Sequence, residues 1–202
     1  MKDGPLMVLK FFLFLLVLPL VIAVVLAFQA QALGIPVHKE ECLLWGGLVF
    51  VLLYLFLYNF KAVFVFGQTI VSNLLRSAQP LAGPGSLIIP IYTVLIACVY
   101  MIIKVIGLGA KYEGWLLLGL GFSVAMHIVL TAHQLHEDDP SPIKSNYFLN
   151  FGLVLMGELL VIALLLGFLI PEYSFLHFLK SSFRQSFVYY QRIYEILFVS
   201  RS

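Results

Sequence analysis

Long runs of apolar residues are the feature that most constrains how this chain can fold. A helix needs about 20 predominantly apolar residues to cross the hydrocarbon core of a bilayer, with about 17 as the lower limit. Five stretches meet this requirement, and they cover residues 11–28, 42–60, 87–103, 114–132 and 148–170. Every Lys and Arg lies outside or at the edge of these stretches, and Glu158 is the only acidic residue inside one. The pattern predicts an all-α polytopic membrane protein with about five transmembrane helices.

The composition excludes other classes of protein. Of the 202 residues, 62% are hydrophobic and 11% are charged, whereas a soluble domain is about 45–50% apolar and about 25% charged. The abundance of Leu, Phe and Val is also the opposite of a disordered composition. A net charge of +2 without a dense block of Lys and Arg argues against a nucleic-acid partner. The partner that the composition does imply is the lipid bilayer.

The first apolar stretch has some features of a secretory signal. Lys2 and Lys10 precede it, and Ala30-Gln31-Ala32 follows it in the pattern of a cleavage site. Its 18 apolar residues exceed the about 7–15 of a signal's apolar region. We therefore expect a retained helix, kinked at Pro19, where one backbone hydrogen bond is missing.

Two further expectations concern the first half of the chain. The helical pattern of the second span continues through residues 61–75 and stops at a Gly/Pro-rich turn at residues 80–85. This predicts a second helix longer than the membrane is thick, which protrudes or lies along the surface. Cys42 and Cys98 are expected at different depths and hence unpaired.

Residues 172–202 differ from the rest of the chain. Four charged residues would have to cross the hydrocarbon if this tail spanned, so we expect a non-spanning amphipathic helix. Its apolar stripe comprises Leu176, Leu179, Phe183, Phe187, Tyr190, Tyr194 and Leu197. The stripe could lie in the headgroup region or pack on a partner protein. The expected contact residues are Lys180, Phe183, Arg184, Phe187, Tyr190, Arg192 and Tyr194.

The orientation follows from counting Lys and Arg on each side of the expected spans. One side carries five: Lys2, Lys10, Lys61, Arg76 and Lys144. The other side carries seven: Lys39, Lys104, Lys111, Lys180, Arg184, Arg192 and Arg201. We expect the N-terminus outside and the C-terminus in the cytoplasm, in a bacterial inner membrane.

Glu158 is the most informative single residue, since an ionised carboxylate facing lipid at mid-span is costly. It is expected to face protein, water or a partner subunit. A functional interpretation is a proton or cation relay, or an anchor for a basic residue of a partner. The structural alternative is a neutral carboxyl group hydrogen-bonded between helices, because burial favours the uncharged form.

His127 is the only histidine inside an expected span, and hence the only intramembrane candidate for a haem or metal ligand. If spans four and five form a hairpin, His127 lies five residues and Glu158 ten residues below one face. This predicts a depth difference of roughly 7–8 Å, with coupling through a water and no enforced contact. The alternative is a plain helix-to-helix hydrogen bond.

His133 and His136 form the second polar cluster, followed by Glu137, Asp138 and Asp139. A spacing of three residues puts both imidazoles on one helical face, as in a surface metal site. The zincin motif does not match, because Gln134 stands where its Glu should be. The alternative is a solvated helix end. With His127, these residues are also the candidates for haem ligation.

Small residues indicate where helices pack. The small residues that permit close approach are Gly119, Gly121, Ser123 and Ala125 in span four, with Gly152 and Gly157 in span five. They predict that these two spans form the packed centre. The Leu- and Phe-rich second span is expected to face lipid.

No nucleophile, general acid–base pair or G-x-S-x-G pattern identifies an enzyme, so no catalytic residues are assigned. We expect a small non-catalytic subunit that anchors or scaffolds other membrane protein subunits, with a path for protons, ions or lipid. The alternative is a subunit of a redox complex that binds haem or a quinone.

Overall fold

A computed structural model describes residues 4–57, 60–78, 85–139 and 145–199, and these ranges are helical without any strand. Their longer α-helices are α1 Gly4–Ala32, α2 Val37–Leu57, α3 Phe60–Leu74, α4 Ile91–Val105, α5 Gly109–Glu137, α6 Ser145–Leu169 and α7 Phe175–Tyr194, and a short helical turn at residues 85–88 precedes α4. Pro19 lies inside α1, which continues on both sides of it. Both cysteines are free.

Three helices in the described ranges are long and apolar enough to cross a membrane. They are Val8–Ala32 in α1, Gly109–Glu137 in α5 and Asn146–Leu169 in α6. The other two expected spans correspond to α2, with 21 residues, and α4, with 15 residues. At 1.5 Å per residue α4 rises only about 22 Å, less than the about 30 Å of a hydrocarbon core. The total of five spans therefore remains a prediction.

Contacts at the helix ends define the topology. At the first end, α1 and α6 start side by side, where Lys10 Nζ donates to Asn146 Oδ1 at 2.6 Å. At the opposite end, Lys39 pairs with Glu113 at 3.3 Å and with Glu172 at 3.6 Å. We call these the Lys10 end and the Lys39 end. Helices α1 and α6 run from the Lys10 end to the Lys39 end, and α5 runs in the opposite direction.

The packing of α5 differs from the expectation, because its main neighbour is α2. A Cβ on Gly121 would collide with the backbone carbonyl of Leu43, and one on Gly46 with the carbonyl of Leu118. The two backbones thus approach as closely as only glycine permits. The second span is not simply bathed in lipid, since one of its faces is packed on α5.

The glycines of α6 also have other partners than expected. A Cβ on Gly152 would meet Val21 of α1, and one on Gly157 would meet Ile88, which precedes α4. The closest neighbours of these glycines are therefore other helices, although α5 and α6 are more buried than α1, as expected for the packed centre. Small residues showed where helices come close but not which helices, because any neighbouring helix can use the space that they leave.

Helix α3 does not extend α2 in a straight line. Ten residues of continuous helix would separate Phe50 from Phe60 by about 15 Å, yet their ring centroids lie 5.4 Å apart. Helix α3 instead packs on the end of α5 and on α4, where Tyr92 donates to the Val63 carbonyl at 2.6 Å. The expectation of one long protruding helix was wrong, and most of the Gly/Pro-rich turn lies outside the described residues.

Helix α7 runs antiparallel along α1. Phe178 packs edge-on against Phe28 with 6.2 Å between ring centroids, and Tyr190 donates to the Leu16 carbonyl at 2.7 Å. The residues buried in this contact are Phe178, Ser182 and Ser186. Phe183 and Phe187 of the expected apolar stripe face outward, each 71% exposed, whereas Leu179 and Tyr190 of the same stripe pack on the bundle.

Candidate functional site

The structure brings His127 of α5 and Glu158 of α6 together inside the bundle. His127 Nε2 lies 3.2 Å from Glu158 Oε1, and their side chains are only 5% and 1% exposed. Sequence reasoning placed the two groups 7–8 Å apart in depth because it assumed a long loop. In the structure α5 continues to Glu137 and α6 starts at Ser145. The shorter connection reduces the depth difference to about 4–5 Å, which the side chains bridge.

The hydrogen-bond partner of the His127 imidazole determines which ring nitrogen carries the hydrogen. His127 Nε2 lies 2.9 Å from the backbone carbonyl oxygen of Leu87. A carbonyl oxygen only accepts hydrogen bonds, so Nε2 carries the hydrogen and donates it. The Glu158 carboxyl group lies beside a donor that is already engaged by Leu87.

Glu158 is consequently short of hydrogen-bond donors. Both of its carboxyl oxygens and the Thr131 hydroxyl are buried without a hydrogen-bond partner in the described part of the chain. Thr131 lies beside Glu158, one helical turn beyond His127, and its hydroxyl interacts with the carboxyl group without a well-formed hydrogen bond. An ionised carboxylate without donors is costly in apolar surroundings, so this arrangement favours the neutral acid.

Polar residues continue from this pair along one face of α5. They recur every three or four residues, and we call them the polar stripe: Ser123, His127, Thr131, Gln134 and Glu137. Ser123 shares a 3.0 Å hydrogen bond with Thr93 of α4. Gln68 of α3 donates to Gln134 at 2.9 Å. The polar stripe leads from mid-bundle to the Lys10 end.

A pocket of about 180 Å³ lies where the polar stripe reaches that end. Its walls include Lys61, Phe64, His133, Gln134 and Glu137. Lys61 Nζ donates to Glu137 Oε2 at 2.8 Å, and His133 Nε2 lies 3.2 Å from Glu137 Oε1. The hydrogen bond to Glu137 raises the pKa of Lys61 above its ordinary value. Titratable groups thus cluster at the outer end of the polar stripe.

The histidine cluster at this end does not converge on one point. His133 pairs with Glu137, whereas His136 packs edge-on against Tyr147 with 5.3 Å between ring centroids. No group of three or more His, Cys, Asp or Glu that could hold a metal occurs among the described residues. The surface metal site weighed for His133 and His136 therefore has no third ligand in this part of the chain.

Sequence reasoning missed the polar network at the Lys39 end. Lys39 bridges Glu113 and Glu172, and Tyr100 donates to Glu113 at 2.7 Å. These contacts join α2, α4, α5 and the turn before α7. Sequence reasoning also missed the polar stripe. The spacing of Ser123, His127, Thr131 and Gln134 by three or four residues already indicated one polar helical face.

A comparison of the chain with protein-family models, curated proteins and solved structures finds no match. The chemistry of the site is therefore the guide to its function.

Proposed function

We propose that the chain is a small, non-catalytic integral membrane subunit that binds and exchanges a proton at Glu158. The observation that carries the proposal is the close approach of His127 and Glu158 inside an apolar bundle, with both carboxyl oxygens lacking a hydrogen-bond partner among the described residues. Imidazole and carboxyl groups are the side chains that most often transfer protons near neutral pH. Intramembrane acids of this kind mark proton and ion pathways.

The polar stripe supports a route from the Lys10 end. A proton entering the pocket near Glu137 and His133 would pass Gln134 and Thr131 before it reaches Glu158. Residues three or four apart on a helix are about 4.5–6 Å apart along the axis, so water must bridge the steps between them. The route reaches only from the Lys10 end to the middle of the bundle. Beyond that point, apolar Leu117 and Leu120 occupy the corresponding part of α5 toward the Lys39 end.

A role as a subunit of a larger assembly is the second part of the proposal. No residue pattern identifies an enzyme, and α7 leaves large aromatic side chains exposed, Phe183 and Phe187 above all. Exposed apolar patches of this kind are typical of interaction surfaces. The subunit would anchor its partners and supply them with a protonatable group.

The alternative of a haem-binding subunit fits the site poorly. Nε2 of His127 is engaged by the Leu87 carbonyl and lies against Glu158. His133 and His136 lie on the same helix, six and nine residues further along. Two axial ligands for one haem would have to come from different helices at one depth. We therefore do not propose haem chemistry for this site.

A hydrophobic ligand is a second candidate with its own support. An apolar cleft of about 510 Å³ lies between α1, α2, α5 and α6, and Glu40 is the charged residue in its lining. A cleft of this size and character suits a quinone or a lipid chain. Organic extraction of the purified protein and mass spectrometry should recover such a molecule in a fixed ratio if the cleft binds one. Recovery of bulk membrane lipid alone would contradict this role.

Infrared spectroscopy of the reconstituted protein tests proton exchange at Glu158 directly. We expect a carboxylic-acid C=O band that shifts in D₂O and disappears in Glu158→Gln. Exchange should be at least about tenfold slower in Thr131→Val or Gln134→Leu, which corresponds to about 1.4 kcal/mol per interrupted step. Glu113→Gln, at the Lys39 end, is the control that should leave the band and its exchange unchanged. A band that never exchanges would contradict the proposal.

A further inference from the structure

Helix α7 lies alongside the part of α1 that is apolar enough to span a membrane. Twelve residues separate Leu16 from Phe28, and twelve separate their contact residues Tyr190 and Phe178. The two helices are therefore in register over about 18 Å. Arg184 is six residues beyond Phe178, which places it level with Ile22, near the middle of Val8–Ala32.

The basic residues of α7 have no acidic partner among the described residues. None of Lys180, Arg184 and Arg192 forms one of the ion pairs found there, and all three side chains are exposed. If α1 spans the bilayer, as proposed above, Arg184 and Arg192 lie at a depth where lipid offers them neither water nor a counter-charge. Something other than acyl chains must cover this face.

We propose that the exposed face of α7 binds a transmembrane helix of another protein, which presents carboxylates to Arg184 and Arg192. This inference rests on the membrane-spanning position of α1, but not on proton exchange at Glu158. Pairing an arginine with a carboxylate gives two parallel hydrogen bonds and removes the isolated charge. The contact would neutralise the charges of Arg184 and Arg192 in the membrane, and it would attach the subunit to its partner.

The surface around the two arginines suits a carboxylate-bearing helix. Arg184 and Arg192 line a groove of about 310 Å³ together with Ser181, Gln185 and Tyr189, whose hydroxyl and amide groups can donate hydrogen bonds. The arginines are eight residues apart, or about 12 Å along the axis. The partner helix should therefore carry its two acidic residues seven or eight positions apart.

A second copy of the chain does not offer such a face in the described ranges. Glu158 is the acidic residue deepest in an apolar helix, and it is 1% exposed and turned toward His127. Glu113 and Glu137 lie near the ends of α5 and already pair with lysines. The required charge pattern must come from a different chain.

The test uses the full chain in phosphatidylcholine vesicles, with a fluorophore on the exposed Cys98 and Cys42 changed to Ser. The probe is a Leu/Ala peptide of about 24 residues, long enough to span, with two Glu residues eight positions apart. A matched peptide carries Gln at both positions. We expect at least about tenfold tighter association of the Glu peptide by energy transfer, equivalent to about 1.4 kcal/mol.

Charge variants should connect this preference to the two arginines. R184Q/R192Q should abolish the difference in association between the Glu and Gln peptides. R184K/R192K should keep most of that difference, and it is the control that retains both positive charges. Lys111→Gln, at the Lys39 end, should leave the difference intact. Equal association of both peptides with the unaltered chain would overturn the proposal. Arginine-dependent self-association, or saturation of the arginines by phosphatidylglycerol, would overturn it in favour of a second copy or a lipid.

A depth measurement separates failure of this inference from failure of its premise. A nitroxide at Phe187→Cys should be relaxed by oxygen and not by a water-soluble nickel reagent, as expected for a lipid-depth position. Relaxation by nickel would show that α7 lies in water and would overturn the premise that α7 lies beside a membrane-spanning α1. Exclusion of nickel without a preference for the Glu peptide would overturn the choice of partner alone.

Discussion

Glu158 shows how one buried polar residue can specify the chemistry of an otherwise apolar bundle. Its carboxyl group lies 3.2 Å from His127 Nε2 and is 1% exposed as a side chain. The imidazole donates to the Leu87 carbonyl, so it offers the carboxylate little charge compensation. This environment stabilises the neutral form of the acid. The carboxyl group can release its proton and take one up again only when water reaches it.

The variant Glu158→Gln should fold and insert as the native chain does. The amide keeps the shape of the neutral acid, so we expect a change in unfolding free energy within about 1 kcal/mol. Glu158→Lys should cost roughly 3–5 kcal/mol, because it buries a cation without a partner. Unfolding by a denaturant in mild detergent measures both. A severe loss in the Gln variant would show instead that Glu158 is ionised and paired.

At the level of helices, glycine determines which pairs approach closely. Helix α5 uses Gly121 against the Leu43 carbonyl, and α2 uses Gly46 against the Leu118 carbonyl. At these points the backbones of α2 and α5 contact each other directly, without side chains between them, as in other pairs of membrane helices.

Gly121→Ala should destabilise the bundle, since its new Cβ would collide with rigid backbone. Overpacking of this kind typically costs about 1–3 kcal/mol. Gly119→Ala is a matched control two residues away, because its Cβ would meet Ile96 Cδ1 at an ordinary 3.7 Å. Thermal unfolding of the two variants should show a lower midpoint for Gly121→Ala alone. Equal midpoints would contradict the close contact of α2 with α5.

The docking of α7 on α1 depends on its small buried residues. Ser182 and Ser186 are each 6% exposed and donate to carbonyls one turn earlier, Ser186 at 2.7 Å. Ser186→Leu should push α7 away from α1, whereas Phe187→Leu, at a 71% exposed position, should not. Trypsin cleavage at Arg184 and Arg192 in detergent should be faster in Ser186→Leu than in the native chain, and unchanged in Phe187→Leu. Similar cleavage in both would argue against the docked position.

At the level of the whole molecule, α7 forms part of the bundle, and its Phe178 belongs to the main hydrophobic core. Lys39 binds Glu172 just before α7, and Tyr173 is buried against the end of the bundle. Truncation after Ser174 keeps both residues and removes α7 with the residues that follow it. We expect the apolar helices to remain inserted and co-purification with other membrane proteins to weaken. Native gel electrophoresis of membranes solubilised in mild detergent measures the assembly, and unchanged complexes would contradict a docking role for α7.

The membrane orientation is also a property of the whole molecule. Counting Lys and Arg predicts the N-terminus outside, and this count used the tail as a surface segment. In the structure α7 returns toward the Lys10 end, so Arg184 and Arg192 are not at the level of one surface. The orientation stays a prediction that labelling of single cysteines from each side of the membrane can test.

The sequence alone determined the helical class and the membrane-compatible helices α1, α5 and α6, because a run of about 20 apolar residues dictates its environment whatever it packs against. It also singled out His127 and Glu158, since polar groups are costly in such runs. It could not determine that these residues touch, that α5 packs on α2, or that α7 turns a serine face toward α1. Those features depend on where each connection ends and which backbones meet. The residues that meet in these contacts are tens of residues apart in the chain, so only the tertiary structure decides them.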